Sequence, residues 1–274
     1  MIQRLREVAA YRELLRNLVV RDLKVRYRSS FFGFLWALGN PLLMMAVFTI
    51  VFTVLWPQEV AHYPVFILAG LLPWNFFSSS VMGSIVSITG NAHLIKKVYF
   101  PREILPASVV FSNLVNFCLA LIAFFLVLFL FQLKLTGWIL LLPLVIASQT
   151  VFTLGVAFFL AALNVFYRDT EVIVDVFMMA LFFLTPVFYP IERLPETFVV
   201  FGIDIPVQRL MYILNPMASL IASYRSILYG SYTGGPPGPP ALDFFLRTAL
   251  TSVAFFVLGY LFFAHRSRQF GEEV

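Results

Sequence analysis

Residues 104–131 read ILPASVVFSNLVNFCLALIAFFLVLFLF, a run without a single Asp, Glu, Lys, Arg or His. As a helix rising 1.5 Å per residue it would be roughly 40 Å long, more than the ~30 Å hydrocarbon core of a bilayer. A helix apolar on every side over that length is explained by lipid as its solvent. The rest of the chain agrees. Of 274 residues, 61% are hydrophobic and 12% charged, with a mean hydropathy of +0.90, where soluble domains hold about 45–50% and about 25%.

Working outward, five more segments are long and apolar enough to cross: Phe34–Leu55, Val65–Ile88, Trp138–Phe166, Val172–Tyr189 and Phe244–Ala264. The expected fold is therefore an all-α integral membrane protein with six transmembrane helices. Pro41 lies near the start of the first, and Gly70 with Leu72-Pro73-Trp74 predicts a break within the second. The expected division is a cytoplasmic segment over residues 1–33, a transmembrane domain over 34–264 and a cytoplasmic tail over 265–274.

Lys and Arg set the orientation. Eight precede the first span, from Arg4 to Arg28. Lys96, Lys97 and Arg102 follow the second, Arg168 the fourth, and Arg266 and Arg268 the sixth, which makes fourteen on one side. Lys134, Arg193, Arg209 and Arg225 make four on the other, with Arg247 just inside span six. Both termini are expected in the cytoplasm, and no cleavable signal peptide is expected ahead of the first span.

Three segments are not expected to span. Arg4–Val25 gathers Leu5, Val8, Tyr11, Leu14, Leu15, Leu18 and Val19 on one helical face, the pattern of an interfacial amphipathic helix. Asn91–Glu103 mixes Leu94, Ile95, Val98, Tyr99 and Phe100 with basic residues, which suits a short amphipathic helix or a membrane-hugging connector alike. Within Pro190–Asp243, Pro206–Leu214 and Pro216–Tyr229 read as two short re-entrant helices, the second capped by Asn215. A Gly/Pro-rich spacer, 234–240, leads into span six.

Several chemistries lack their residues. No GxxxxGK[ST] phosphate loop occurs, so nucleotide hydrolysis by that route needs another chain. His62, His93 and His265 fall at the edges of the spans on different sides and do not converge on a metal. Ser78, Ser79 and Ser80 have no His or acid at like depth, and suit helix packing. Asp175, with Glu171 and Arg168 at helical spacing, reads as a boundary cluster, so an ion-driven carrier is poorly supported. Cys118 has no partner for a disulfide, and the net charge of +5 is spent on topology and not on nucleic acid.

The order of short motifs resembles the type-2 ABC transporter permease family, specifically its polysaccharide-export branch for O-antigen, capsule or teichoic acid chains. The motifs are Arg21-Asp22-Leu23-Lys24-Val25-Arg26-Tyr27-Arg28, Gly33-Phe34-Leu35-Trp36-Ala37 into Asn40-Pro41, and Gly70-Leu71-Leu72-Pro73-Trp74 with Phe76-Phe77. They continue with Asn91 through Phe100-Pro101-Arg102-Glu103, Asn164-Val165-Phe166-Tyr167-Arg168-Asp169, Thr185-Pro186-Val187 with Tyr189, and Asn215-Pro216 with Tyr224-Arg225. Each string is weak alone, and their joint order covers essentially the whole chain.

The resemblance implies a homodimer in the bacterial cytoplasmic (inner) membrane, bound to two ATP-binding cassette subunits that hold ATP and Mg. This chain would carry no cofactor and no catalysis. It makes Asn91, Leu94, Ile95, Val98, Tyr99 and Phe100 the ATPase-coupling loop, and Asn215, Pro216, Tyr224 and Arg225 part of an external gate. A lipid-linked polysaccharide, on an undecaprenyl-type carrier, would be the substrate. Sugar faces stack on rings, so Tyr27, Phe31, Phe32, Phe34, Trp36, Trp74, Phe76 and Phe77 are candidate pathway residues, with helix packing or lipid contact as the plainer reading of each. A drug or lipid exporter of the same superfamily and a membrane-embedded transferase on lipid-linked sugars are the alternatives.

Overall fold

The computed structural model describes residues 10–28, 35–200 and 203–273. Eleven helices are numbered in chain order: α1 Arg12–Arg28, α2 Leu35–Ile50, α3 Tyr63–Ile85, α4 Ala92–Lys97, α5 Ile104–Leu130, α6 Leu142–Phe166, α7 Thr170–Leu184, α8 Val207–Leu214, α9 Pro216–Leu228, α10 Leu242–Arg266 and α11 Phe270–Glu273. A π-helical turn, Val51–Leu55, extends α2, and a 3-10 turn, Gly137–Leu141, leads into α6. Among the described residues, five helical stretches are long and apolar enough to cross a membrane: Leu38–Leu55, Tyr63–Ile85, Ile104–Leu130, Gly137–Phe166 and Leu242–Gln269. The chain is an all-α membrane protein. Its ends are called inner and outer below, after the charge reading.

Two sequence expectations change. The fifth span, expected over Val172–Tyr189, is a 15-residue helix that stops at Leu184. Pro186 disfavours a helical conformation at the residue before it, and Thr185 is extended (φ −92°, ψ 133°). The break expected in the second span is absent. Helix α3 runs straight through Pro73, and the Pro73 carbonyl accepts a hydrogen bond from Gln149 Nε2 at 2.7 Å. A short antiparallel strand pair, Phe198–Val200 with Ile203–Ile205, was not expected either.

Helix α3 is the hub. Of its crossing window 78% is buried inside the chain, against 6% for Leu38–Leu55; α2 packs on the core through Leu42, Met45 and Phe48 and leaves its opposite face for lipid or another chain. Two buried polar side chains tie α6 to α3, Gln149 at Pro73 and Asn164, whose Nδ2 donates to the Ile85 carbonyl at 3.0 Å. Where no water competes, such bonds hold helices in register.

Helices α6 and α10 form the broadest pairing. Their contacts advance in step, with Phe152 against Phe255 and Phe159 against Phe262, and Phe166 at the end of α6 meets Phe270 of α11 just beyond α10, so the two helices run parallel. Gly155 and Gly259 let the backbones touch. A Cβ on Gly155 would meet the Phe255 backbone, and one on Gly259 would meet Gly155 itself. At the inner end a second core joins Leu18 of α1, Phe100, Ile104, Phe158, Phe263 and Phe270. The face of α1 that the sequence assigns to an interface is turned partly onto the protein, with Leu18 buried and Leu14 and Leu15 packed beside it.

Candidate functional site

The residues after α7 form a turn, 185–190, that is strapped from two sides. Asn215 lies between α8 and α9. Its Oδ1 accepts from the Met217 and Ala218 amides at 3.1 and 3.3 Å, capping α9 as expected. Its Nδ2 donates to Thr185 Oγ1 at 2.8 Å, and that hydroxyl donates to the Leu181 carbonyl at 2.6 Å. One side chain thus starts α9 and fixes the end of α7. Pro216 occupies the first position of α9, where a missing N–H is harmless.

Arg225, two turns further along α9, is buried and clamps the same turn. Nη1 donates to the Pro186 carbonyl at 2.6 Å and Nη2 to the Val187 carbonyl. Its guanidinium carbon lies 3.6 Å from the centre of the Phe66 ring, a cation–π contact. Burial pulls its pKa down to about 10, an effect partly opposed by Glu192, so it stays charged at neutral pH. Two carbonyl dipoles and a ring face do the work of a counter-ion. Tyr63 Oη donates to the Phe188 carbonyl at 2.9 Å, and Tyr229 Oη to the Ala61 carbonyl, which brings the start of α3 into the same assembly. Tyr224 is fully buried, edge-on to Phe117.

The inner loop is equally ordered. Asn91 Nδ2 donates to the Ser87 carbonyl at 2.9 Å, and α4 follows. Leu94 and Ile95, which the sequence reading offers as partner anchors, are half-buried and lean onto the inner core. Phe100 is inside that core, while Val98 and Tyr99 point away, 53% and 94% exposed. A cavity of about 690 Å³ lies beside them, lined by Lys96, Lys97, Arg102, Glu103, Tyr11 and Arg268 among others.

Of the eight candidate pathway rings, four are described. Phe31, Phe32 and Phe34 lie outside the described residues, as does the side chain of Trp36. Tyr27 is half-buried and donates to Asn116 Oδ1. Trp74, Phe76 and Phe77 are buried in the core of their own chain. Trp74 tilts against Phe182 at 5.5 Å, Phe76 stacks on Phe117 and Phe77 on Phe152, each at 5.4 Å. Sequence reasoning passed over Gln149, although a lone amide in an apolar span was its signal, and over Gly155 and Gly259.

A buried helical hub, five stretches able to cross a membrane and a strapped turn joined to two short helices define a multi-pass helical membrane protein. Residues 13–229 match the family described as ABC-2 type transporter, and the chain belongs to that family. Such a membrane protein works with an ATPase subunit. The chain is 39% identical to the O-antigen export system permease protein RfbA of Myxococcus xanthus over 275 residues, covering 100% of both. It is also 35% and 33% identical to two proteins of the same description from Klebsiella pneumoniae, over 78% of this chain and 80% of each of them.

Proposed function

We propose that this chain is the permease subunit of an ATP-driven polysaccharide exporter, moving a lipid-linked glycan of the O-antigen type across the bacterial inner membrane. The observation that carries the reading is similarity over the full length of both chains to a protein described as an O-antigen export permease. Helix α2, 6% buried over its crossing window, supports assembly as a homodimer, because a second copy could cover that surface. Short α7 completes a six-crossing arrangement with both termini in the cytoplasm, and the fourteen-to-four charge split supports it.

Energy enters from the partner ATPase, which holds ATP and Mg. Coupling runs through Asn91–Phe100, with Val98 and Tyr99 as the contact and Leu94, Ile95 and Phe100 passing motion to the inner core. The turn strapped by Asn215 and Arg225 serves the outer gate, and Tyr27 serves the pathway, the role the sequence also suggests for Phe31, Phe32, Phe34 and Trp36. Trp74, Phe76 and Phe77 shape α3 behind it. The test is complementation. In a cell deleted for its own export permease and supplied with the cognate ATPase, this chain restores surface polysaccharide. Normal assembly with no polymer at the surface would overturn the reading.

A further inference from the structure

Beyond α10 a 3-10 turn, Ser267–Gln269, leads into α11, and Ser267 Oγ donates to the Ala264 carbonyl at 3.1 Å. A short polar segment at the edge of a domain is ordinarily poorly ordered unless something ties it down. The tie here is Phe270, the only Phe, Tyr or Trp in residues 265–274. Its ring is 0% exposed, while Arg268, Gln269 and Gly271 around it are exposed.

Three parts of the fold meet on that ring. Phe263 of α10 lies edge-on to it at 5.3 Å, and Phe166, the last residue of α6, lies at 6.0 Å. From the segment after α4, Arg102 brings its guanidinium carbon to 5.9 Å from the ring centre, a cation–π contact, and a Cβ at Gly271 would lie 3.4 Å from its Nη2. Phe100 and Ile104 share the same core, with Leu94 and Ile95 packed against it. Phe270 thus joins the inner loop to the inner ends of the parallel α6–α10 pair.

The place matters because of what precedes Arg102. Val98 and Tyr99, the exposed side chains of the loop, come just before it, and residues 99–101 are in no helix. A displacement of Tyr99 therefore reaches Phe100 and Arg102 and has two ways onward, along α5 from Ile104 or across Phe270 to α6 and α10. Close-packed side chains transmit such a displacement and do not absorb it. The family match covers residues 13–229, so α10 and the segment that carries Phe270 lie outside it.

We propose that Phe270 is a positioning residue of the export cycle, which ties the loop after α4 to α6 and α10 so that motion imposed by the ATPase at Val98 and Tyr99 passes to that helix pair. The assignment rests on the export reading above and on its placement of the ATPase contact. It gives a segment beyond the matched residues a part in the drive.

The test compares two readouts of the permease–ATPase complex: ATP hydrolysis by the purified complex, and surface polymer in the deletion strain per amount of complex recovered. With Phe270→Ala, hydrolysis should stay within about twofold of wild type while polymer falls roughly fivefold, and gel filtration should show the complex intact. Arg102→Gln should lower polymer in the same sense with ATPase recovery unchanged, and Arg102→Lys, which keeps the cation, should restore it. The double variant should export no less than Phe270→Ala alone, since both interrupt one route. Where Phe270→Ala does not assemble, Phe270→Leu, which keeps most of the apolar volume, takes its place in every comparison. If wild type restores no polymer, the export reading has failed. If wild type restores it and the Phe270 variant exports normally, or loses hydrolysis and export in equal proportion, only the positioning role has failed. Losses that multiply in the double variant overturn it as well.

Discussion

The guanidinium of Arg225 lies where Gly70 has no side chain. A Cβ at Gly70 would come within 2.8 Å of Nη2 and 2.9 Å of the Val187 carbonyl oxygen. The glycine of Gly70-Leu71-Leu72-Pro73-Trp74 and the arginine of Tyr224-Arg225 are thus two halves of one contact between α3 and α9.

Gly70→Ala should destabilise the protein by about 1–3 kcal/mol through overpacking, read as a lower midpoint in detergent thermal unfolding. Arg225→Met should cost more, because it leaves the Pro186 and Val187 carbonyls unpaired at about 1–3 kcal/mol each. The double variant should be less destabilised than the sum, since one of the two clashes disappears with the guanidinium. Strict additivity would show that the residues do not compete for space.

Asn215→Ala removes a helix cap and the bond to Thr185 together, and should lower stability by about 1–2 kcal/mol. Asn215→Asp keeps the cap but loses the donor to Thr185 Oγ1, so its unfolding midpoint should fall between wild type and Asn215→Ala. A midpoint equal to that of Asn215→Ala would mean the cap contributes nothing.

Gly155→Val introduces a branched side chain where even a Cβ meets the Phe255 backbone. The parallel α6–α10 pair cannot move apart without giving up its ring contacts. We expect little folded protein, measured as monodisperse material after detergent extraction, and partial recovery with Gly155→Ala. Wild-type yield from Gly155→Val would show that the close approach is dispensable.

At the inner loop, Tyr99→Ala and Val98→Asp alter exposed side chains and should leave folding within about 0.5 kcal/mol of wild type. They should weaken co-purification of the ATPase subunit or reduce export. Leu94→Asp and Ile95→Asp, which place charge against the inner core, should lower stability as well. A Tyr99→Ala, Val98→Asp double variant with normal ATPase recovery and normal export would remove the coupling assignment.

What the sequence made legible follows from which signals are local. The helices Ile104–Leu130 and Pro216–Leu228 match the reading to within a residue or two, because length, apolarity, Asn215 and Pro216 are written in the chain itself. The short fifth helix was overestimated because the apolar run continues past Pro186, while the helix does not. Arg225 counted in the sequence as one more external charge. Its partners are backbone carbonyls and a ring 159 positions away at Phe66, and carbonyls leave no mark in composition. Trp74, Phe76 and Phe77 show the same limit, since a ring that packs against Phe182, Phe117 or Phe152 reads in sequence like one that meets a substrate.

The glycine seam between α6 and α10 also has a timetable. Roughly a hundred residues separate Gly155 from Gly259, and at about 5–20 residues per second of synthesis the later helix follows the earlier by some 5–20 s. During that interval Gly155 and its flanking rings sit in the bilayer with their partner still unmade. Any other small-faced helix nearby is a competitor for the same groove. The long delay makes the order and pace of translation, as well as the final contacts, part of what determines whether this bundle closes correctly.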